Sequence, residues 1–355
     1  MLSGRYINQI LGHRLYTLYG DIEIAVLTQI GSYLTNKRFL KTLADDRPRA
    51  IRQLERKFSS IINPYKKELD DAFVYELNTT IKKGVLGDES YFRRAVKAKQ
   101  LEKFVNYDNS PVVKELTKAY EQLGKAQNAV IRANLIRGAT NTTLNAISDV
   151  QASKYSEKTA LDVVANKIGK DGLNFAAGGY SQELMSYVRN TTQDTILHGT
   201  LDISAARMEE VGVDLILVSS HVGARPLCAP YQGKVFSLSG SDPKYPALSS
   251  TSYGEPAGLF GINCRHYYVA YIDGVNRNGF ENPSESLNDK VYEYQSEQRY
   301  NERQIREWKR KETMYDAIGS DKSSYAKGKV SYWQGRQRAL LDKSGMARQY
   351  GRERI

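Results

Sequence analysis

The sequence predicts an α+β protein: a mainly α-helical, elongated N-terminal region over residues 1–175, a long helix plus a small α+β module over 176–284, and a basic helical C-terminal segment over 285–355. Three observations predict it. Apolar residues step by three and four through the first half, β-type runs occur only between 213 and 273, and charged helix-forming residues dominate the end. With 355 residues, 41% of them hydrophobic, the chain can bury a core in at least one of these parts, which excludes a disordered protein.

The first stripe is Leu11, Leu15, Leu18, Ile22 and Ala25, and the second is Ile51, Leu54, Phe58 and Ile61, each one face of a helix. Asn63 as a cap and Pro64 at a first helical position restart a helix that carries Leu69, Phe73, Leu77 and Ile81 until Gly84 ends it. Val112, Leu116, Ala119, Leu123, Ala126, Val130 and Ala133 then alternate steps of four and three, a heptad seam that fits either a coiled coil or a long helix in a bundle. Gly178 and Gly179 break the pattern, and a new helix is expected from about Tyr180 to Glu210. No cluster of His, Cys or paired carboxylates lies on these apolar faces, so the helices suit a spacer or an assembly surface.

The β-type runs are Val213 to His221, "GKVFSLSG", and Arg265 to Asp273, separated by loops rich in Gly, Pro, Ser and Tyr. The chain has 2 Cys and 4 His, and His221, Cys228, Cys264 and His266 all fall in this window. Zinc takes four N or S ligands in a tetrahedron, so these four residues are the candidate metal ligands, and a structural zinc would contribute on the order of 10 kcal/mol to folding. A Cys-x-His pair at the start of a strand needs a turn or bulge to aim both side chains at one ion, which Gly261 and Asn263 can supply; Gly258 and Gly261 are expected to shape that turn, and Gly261→Val should destabilise the module if Gly261 has a positive φ. The other readings are two buried thiols with hydrogen-bonded histidines, or a Cys228–Cys264 disulfide. Catalysis has little to stand on. Phosphate-loop, dinucleotide, zinc-protease and serine-nucleophile motifs are absent, and a Cys264–His221 nucleophile pair is the one formal option.

The net charge is +11 and the pI near 9.3, which favours a polyanionic neighbour. Residues 299–355 hold 15 Lys plus Arg against 7 Asp plus Glu, and also Trp308 and Trp333, the candidate anchors for a partner, beside the steps Arg299, Arg303 and Arg306. Two Cys make no disulfide framework, so folding in a reducing cytoplasm is the expectation. No stretch approaches the roughly 20 apolar residues of a membrane span.

"VSSHVGARPLCAPYQGKVFSLSG" (218–240), followed by "YPALSSTSYGEPAGLFGINCRHYYVAYIDGV" (245–275), closely resembles the signature of the phage minor capsid protein 2 family, related to the Mu-type head morphogenesis proteins. The preceding helix and the tail are also similar to the family, so the resemblance covers about residues 175–355, and the N-terminal helices match in character. That pattern often has His where this chain has Cys228 and Trp where it has Tyr231. The resemblance implies a low-copy structural protein of the virion head, at or near the portal, acting in head assembly and in DNA packaging or ejection, with host cytoplasm as its place of assembly. Its implied partners are the portal protein, other head proteins and, through the basic tail, packaged DNA, within a multi-subunit assembly. It implies no enzymatic activity. The rivals are an enzyme or toxin-like effector carrying a head-targeting module, and a DNA-binding protein acting outside the particle.

Overall fold

The structure is a computed structural model that describes residues 13–177 and 180–355. Among them, nine α-helices surround short strands: α1 (His13–Thr35), α2 (Lys37–Asp45), α3 (Arg47–Ile62), α4 (Lys66–Lys97), α5 (Pro111–Gln151), α6 (Glu157–Asp171), α7 (Leu184–Glu210), α8 (Glu285–Ala317) and α9 (Ser323–Ser344). β1 (Asn174–Ala177) and β2 (Tyr180–Glu183) form an antiparallel pair. β3 (Leu215–Val218), β4 (Val235–Ser237) and β5 (Tyr268–Ala270) form a second antiparallel sheet in the order β4-β3-β5. A mainly helical chain with a small sheet agrees with the expected class. The chain resolves into two compact units: one takes in 71–125 and 190–295, the other 14–70, 126–189 and 296–355. Both cut across the consecutive segments read from the sequence.

The stripes of α1 and α4 are buried as their spacing predicts, at Leu15, Leu18 and Ile22 and at Leu69, Phe73, Leu77 and Ile81; Leu11 and the break at Gly178 and Gly179 lie outside the described residues. Three readings need correction. Gly84 does not end its helix, because α4 runs on to Lys97 and the absent side chain lets Thr200 of α7 approach, with a Cβ there only 3.1 Å from the threonine methyl. The helix expected from Tyr180 starts at Leu184, since residues 180–183 pair as a strand. The heptad seam of α5 is not its buried face: Leu123 and Val130 are 45% and 53% exposed, while Val113, Gly124, Asn128, Ile131 and Leu135 point inward. That inward face escapes a hydrophobicity reading because it mixes glycine and polar residues. A Cβ at Gly124 would overlap the Phe73 ring, and Asn128 links Tyr19, whose hydroxyl donates to it at 3.0 Å, to Asp70, which accepts its amide at 3.2 Å.

In the first unit, Phe92, Met208, Ile216, Phe236, Leu259 and Tyr268 share one apolar core, and Cys228 and Cys264 belong to it. Asp88 of α4 ties the sheet down: its carboxylate accepts the Ala270 amide at 2.9 Å and the Ser204 hydroxyl at 3.0 Å. Burial pushes the Asp88 carboxyl up to about 7.

In the second unit, part of the tail's positive charge is used internally. Arg306 and Arg310 are buried and both engage Glu183, Arg306 through two bonds of 2.7 and 2.8 Å. Burial alone would raise the Glu183 carboxyl, but the two guanidiniums outweigh it and hold it well below the usual carboxylate range. Of the arginine steps, Arg303 is exposed, Arg299 half-buried and Arg306 buried. Trp308 and Trp333 are half-buried rather than free anchors: Lys311 lies over the Trp308 ring with Tyr325 at its edge, and Trp333 is flanked by Tyr300, Tyr332 and Arg336.

Candidate metal centre

The site is built from two loops that leave the three-stranded sheet. Strand β3 ends at Val218, and the chain runs through His221 to a turn at Arg225–Cys228, where the Cys228 amide donates to the Arg225 carbonyl at 2.9 Å. Asn288 fixes the start of that turn by accepting the Gly223 and Ala224 amides at 3.0 and 2.8 Å. Cys264 and His266 arrive from the second loop, in irregular chain before β5 rather than within a strand, so the alternation of side chains along a strand does not apply to them.

The turn before Cys264 differs from the expected one. Phe260 and Asn263, not Gly261, occupy the left-handed region, each with φ of 59°. Gly258 and Gly261 serve close backbone approach instead: a Cβ on Gly258 would lie 1.9 Å from the Ser252 carbonyl oxygen, and one on Gly261 2.5 Å from that of Glu255. Arg225 clamps the two loops, donating to the Ile262 and Gly258 carbonyls at 2.8 and 3.1 Å.

Cys228, Cys264 and His266 converge in the buried interior, with ligand atoms all within 4.8 Å of one another. The sulfur atoms are 4.0 Å apart, both thiols are free, and His266 Nδ1 is 3.4 Å from the Cys264 sulfur. His221, the fourth candidate ligand, falls outside that group of three. Its ring stacks on His266 with centroids 4.4 Å apart, and its buried Nε2 has no hydrogen-bond partner.

The proton positions follow from the acceptors. Gln232 Oε1 accepts the His221 amide at 2.7 Å, which identifies that atom as the oxygen, so the His266 Nε2 that meets it at 3.1 Å is the protonated nitrogen. This leaves the lone pair of His266 on Nδ1, facing the thiols. By the same logic His221 Nδ1 donates to the Val222 carbonyl at 3.2 Å and its lone pair sits on Nε2. Burial, with His266 beside it, pushes His221 down to about 4, so its ring is neutral at physiological pH. Between the cysteines, the hydrogen bond from Cys228 and the nearby His266 lower Cys264, while that same bond and burial raise Cys228. Arg225 and Gln232, which hold the loops and the rings, lie in the quoted motif but were not singled out by sequence reasoning, because their roles depend on turns that spacing does not reveal.

The model of a protein family described as phage minor capsid protein 2 matches residues 5–342, so the similarity extends through the N-terminal helices as well as the signature. A "Structural protein" of Lactococcus phage LL-H is 28% identical over 313 residues, covering 81% of this chain and 83% of the relative. A "Structural protein" of Lactococcus phage mv4 is 34% identical over 116 residues, covering 32% of this chain and 94% of the relative. No solved structure matches the chain.

Proposed function

The chain belongs to the phage minor capsid protein 2 family and is a structural protein of the phage particle, and from that premise we propose that it works as a low-copy head component at or near the portal, in head assembly. The observation that carries this reading is the family match over residues 5–342, which leaves little of the chain for an effector domain. Its partners are the portal protein and other head proteins. Packaged DNA is the natural neighbour of the exposed cations of the C-terminal segment, among them Arg303, Lys327 and Arg338, with Arg336 paired to Glu297 and the exposed Tyr325 and Tyr332 nearby in sequence.

The role requires no catalytic turnover. Cys228, Cys264 and His266, the constellation closest to a nucleophile site, are buried and face one another, and a nucleophile needs an open approach for its substrate. The test is the composition of purified particles together with the infectivity of a deletion. The expected result is that mature heads contain the protein and that its deletion abolishes infectious particles. Heads that lack the protein yet assemble, package and infect normally would overturn the reading.

A further inference from the structure

Among the described residues, the Cys228, Cys264 and His266 cluster is the one place where three metal-ligand side chains converge, and its dimensions are those of a coordination polyhedron. In a tetrahedral zinc site with bonds near 2.3 Å to sulfur and 2.0–2.1 Å to nitrogen, two sulfurs lie about 3.8 Å apart and sulfur and nitrogen about 3.5 Å apart. The separations here are 4.0 Å between the sulfurs and 3.4 Å from the Cys264 sulfur to His266 Nδ1. A disulfide needs about 2.05 Å between sulfurs, so oxidation would demand that both side chains move.

The surroundings prepare the same atoms. His266 presents Nδ1 inward because Gln232 holds its Nε2–H, the arrangement in which a ligating histidine donates its second ring N–H to a carbonyl oxygen. His221 repeats it with the Val222 carbonyl, and its buried Nε2 has a lone pair and no partner. An unpaired buried acceptor costs stability unless something occupies it.

We propose that this cluster is a structural zinc site, with Cys228 Sγ, Cys264 Sγ and His266 Nδ1 as three ligands and His221 Nε2 as the fourth. Two sulfurs and two imidazole nitrogens in a closed, buried tetrahedron select zinc over hard cations, and the absence of an open position makes the site structural. Binding displaces the thiol protons, so affinity rises with pH. The site crosslinks residues 221–232 to 258–266, and it does not depend on where in the particle the protein acts.

The experiment uses the full chain, expressed with zinc present and purified with a reductant and no chelator. Elemental analysis is expected to find one zinc per chain. Replacing zinc by Co²⁺ is expected to produce the visible absorption and thiolate-to-metal charge-transfer bands of a tetrahedral sulfur-ligated site. Both thiols should resist alkylation in the native protein and react once a strong chelator is added, a comparison that needs no variant to fold. Gln232→Ala, which removes a partner of the ligand but no ligand, should weaken zinc binding about 10–100-fold, and His221→Ala should weaken it while the cobalt charge-transfer bands persist. Protein without stoichiometric zinc, thiols equally reactive with and without chelator, or a Cys228–Cys264 disulfide found by mass in freshly prepared reduced protein would each overturn the proposal.

Discussion

In the second unit, Glu183 lies between Arg306 and Arg310, and the remaining donors of those guanidiniums reach the Arg352 and Gly169 carbonyls. In the first unit, the Cys228–Cys264–His266 cluster is as deeply buried but leaves two free thiols and, beside it, a His221 nitrogen with no partner. Both clusters tie together stretches remote in sequence. The ionic one sets a single carboxylate between two guanidiniums, with the buried Glu23 and Glu302 carboxyls near enough to interact with Arg306. The cysteine and histidine cluster brings two sulfurs and one ring nitrogen within 4.8 Å of one another. Buried polar residues therefore do different work in the two units: charge pairing in one, convergence of metal-ligand side-chain types in the other.

The largest expected effect comes from breaking the ionic cluster. Glu183→Ala strips the partner from two buried guanidiniums and should cost about 3–5 kcal/mol in denaturant unfolding. Because Trp308 and Trp333 both belong to the second unit, tryptophan emission is a suitable probe. A loss under about 1 kcal/mol would show that water compensates the arginines, and the contrast between the clusters would fail.

A second test uses the buried acid of the first unit. The Asp88 carboxyl is raised to about 7 from an ordinary value of 3.8, so the folded state holds a proton that the unfolded chain has released. Its contribution is fully present below about pH 3.8 and is lost as pH rises through about 7, at roughly 1 kcal/mol per pH unit between. Asp88→Asn keeps an oxygen for the Ala270 amide and removes the titration. The variant and the wild type should unfold alike near pH 4, with the wild type falling behind toward pH 7. Parallel stability curves over that range would mean that Asp88 is ionised in the folded protein.

The smallest of these effects concerns the turn that delivers Cys264. Gly261→Ala forces a Cβ against the Glu255 and Pro256 carbonyl oxygens, at 2.5 and 2.6 Å, and should cost about 1–3 kcal/mol. Hydrogen exchange of the peptides spanning 255–268 should rise with it. Unchanged exchange there would show that the turn yields to a side chain and that the loop is not held as tightly as its contacts imply.

The helical stripes were legible where one face is apolar throughout, as at Leu69, Phe73, Leu77 and Ile81. They were illegible in α5, where Gly124, Asn128 and Arg132 lie on the buried face and Leu123 and Val130 on the exposed one. There, ring packing and hydrogen bonds to residues far along the chain override hydrophobic periodicity. The candidate centre was legible through scarcity, because few residue types bind zinc and this chain crowds them into one window. Its tautomers were not, since they are set by Gln232 and the Val222 carbonyl. The tail's charge could be counted but not apportioned: the sequence does not show that Arg306 and Arg310 are spent on Glu183, more than 100 residues earlier.

The most direct test of the structural role is the position of this chain in the density of an intact particle. The account predicts a few copies at the portal end of the head, with exposed cations of the C-terminal segment such as Arg303, Lys327 and Arg338 toward the portal or the packaged DNA. Copies spread over the whole capsid lattice, or no copies in the particle at all, would contradict it.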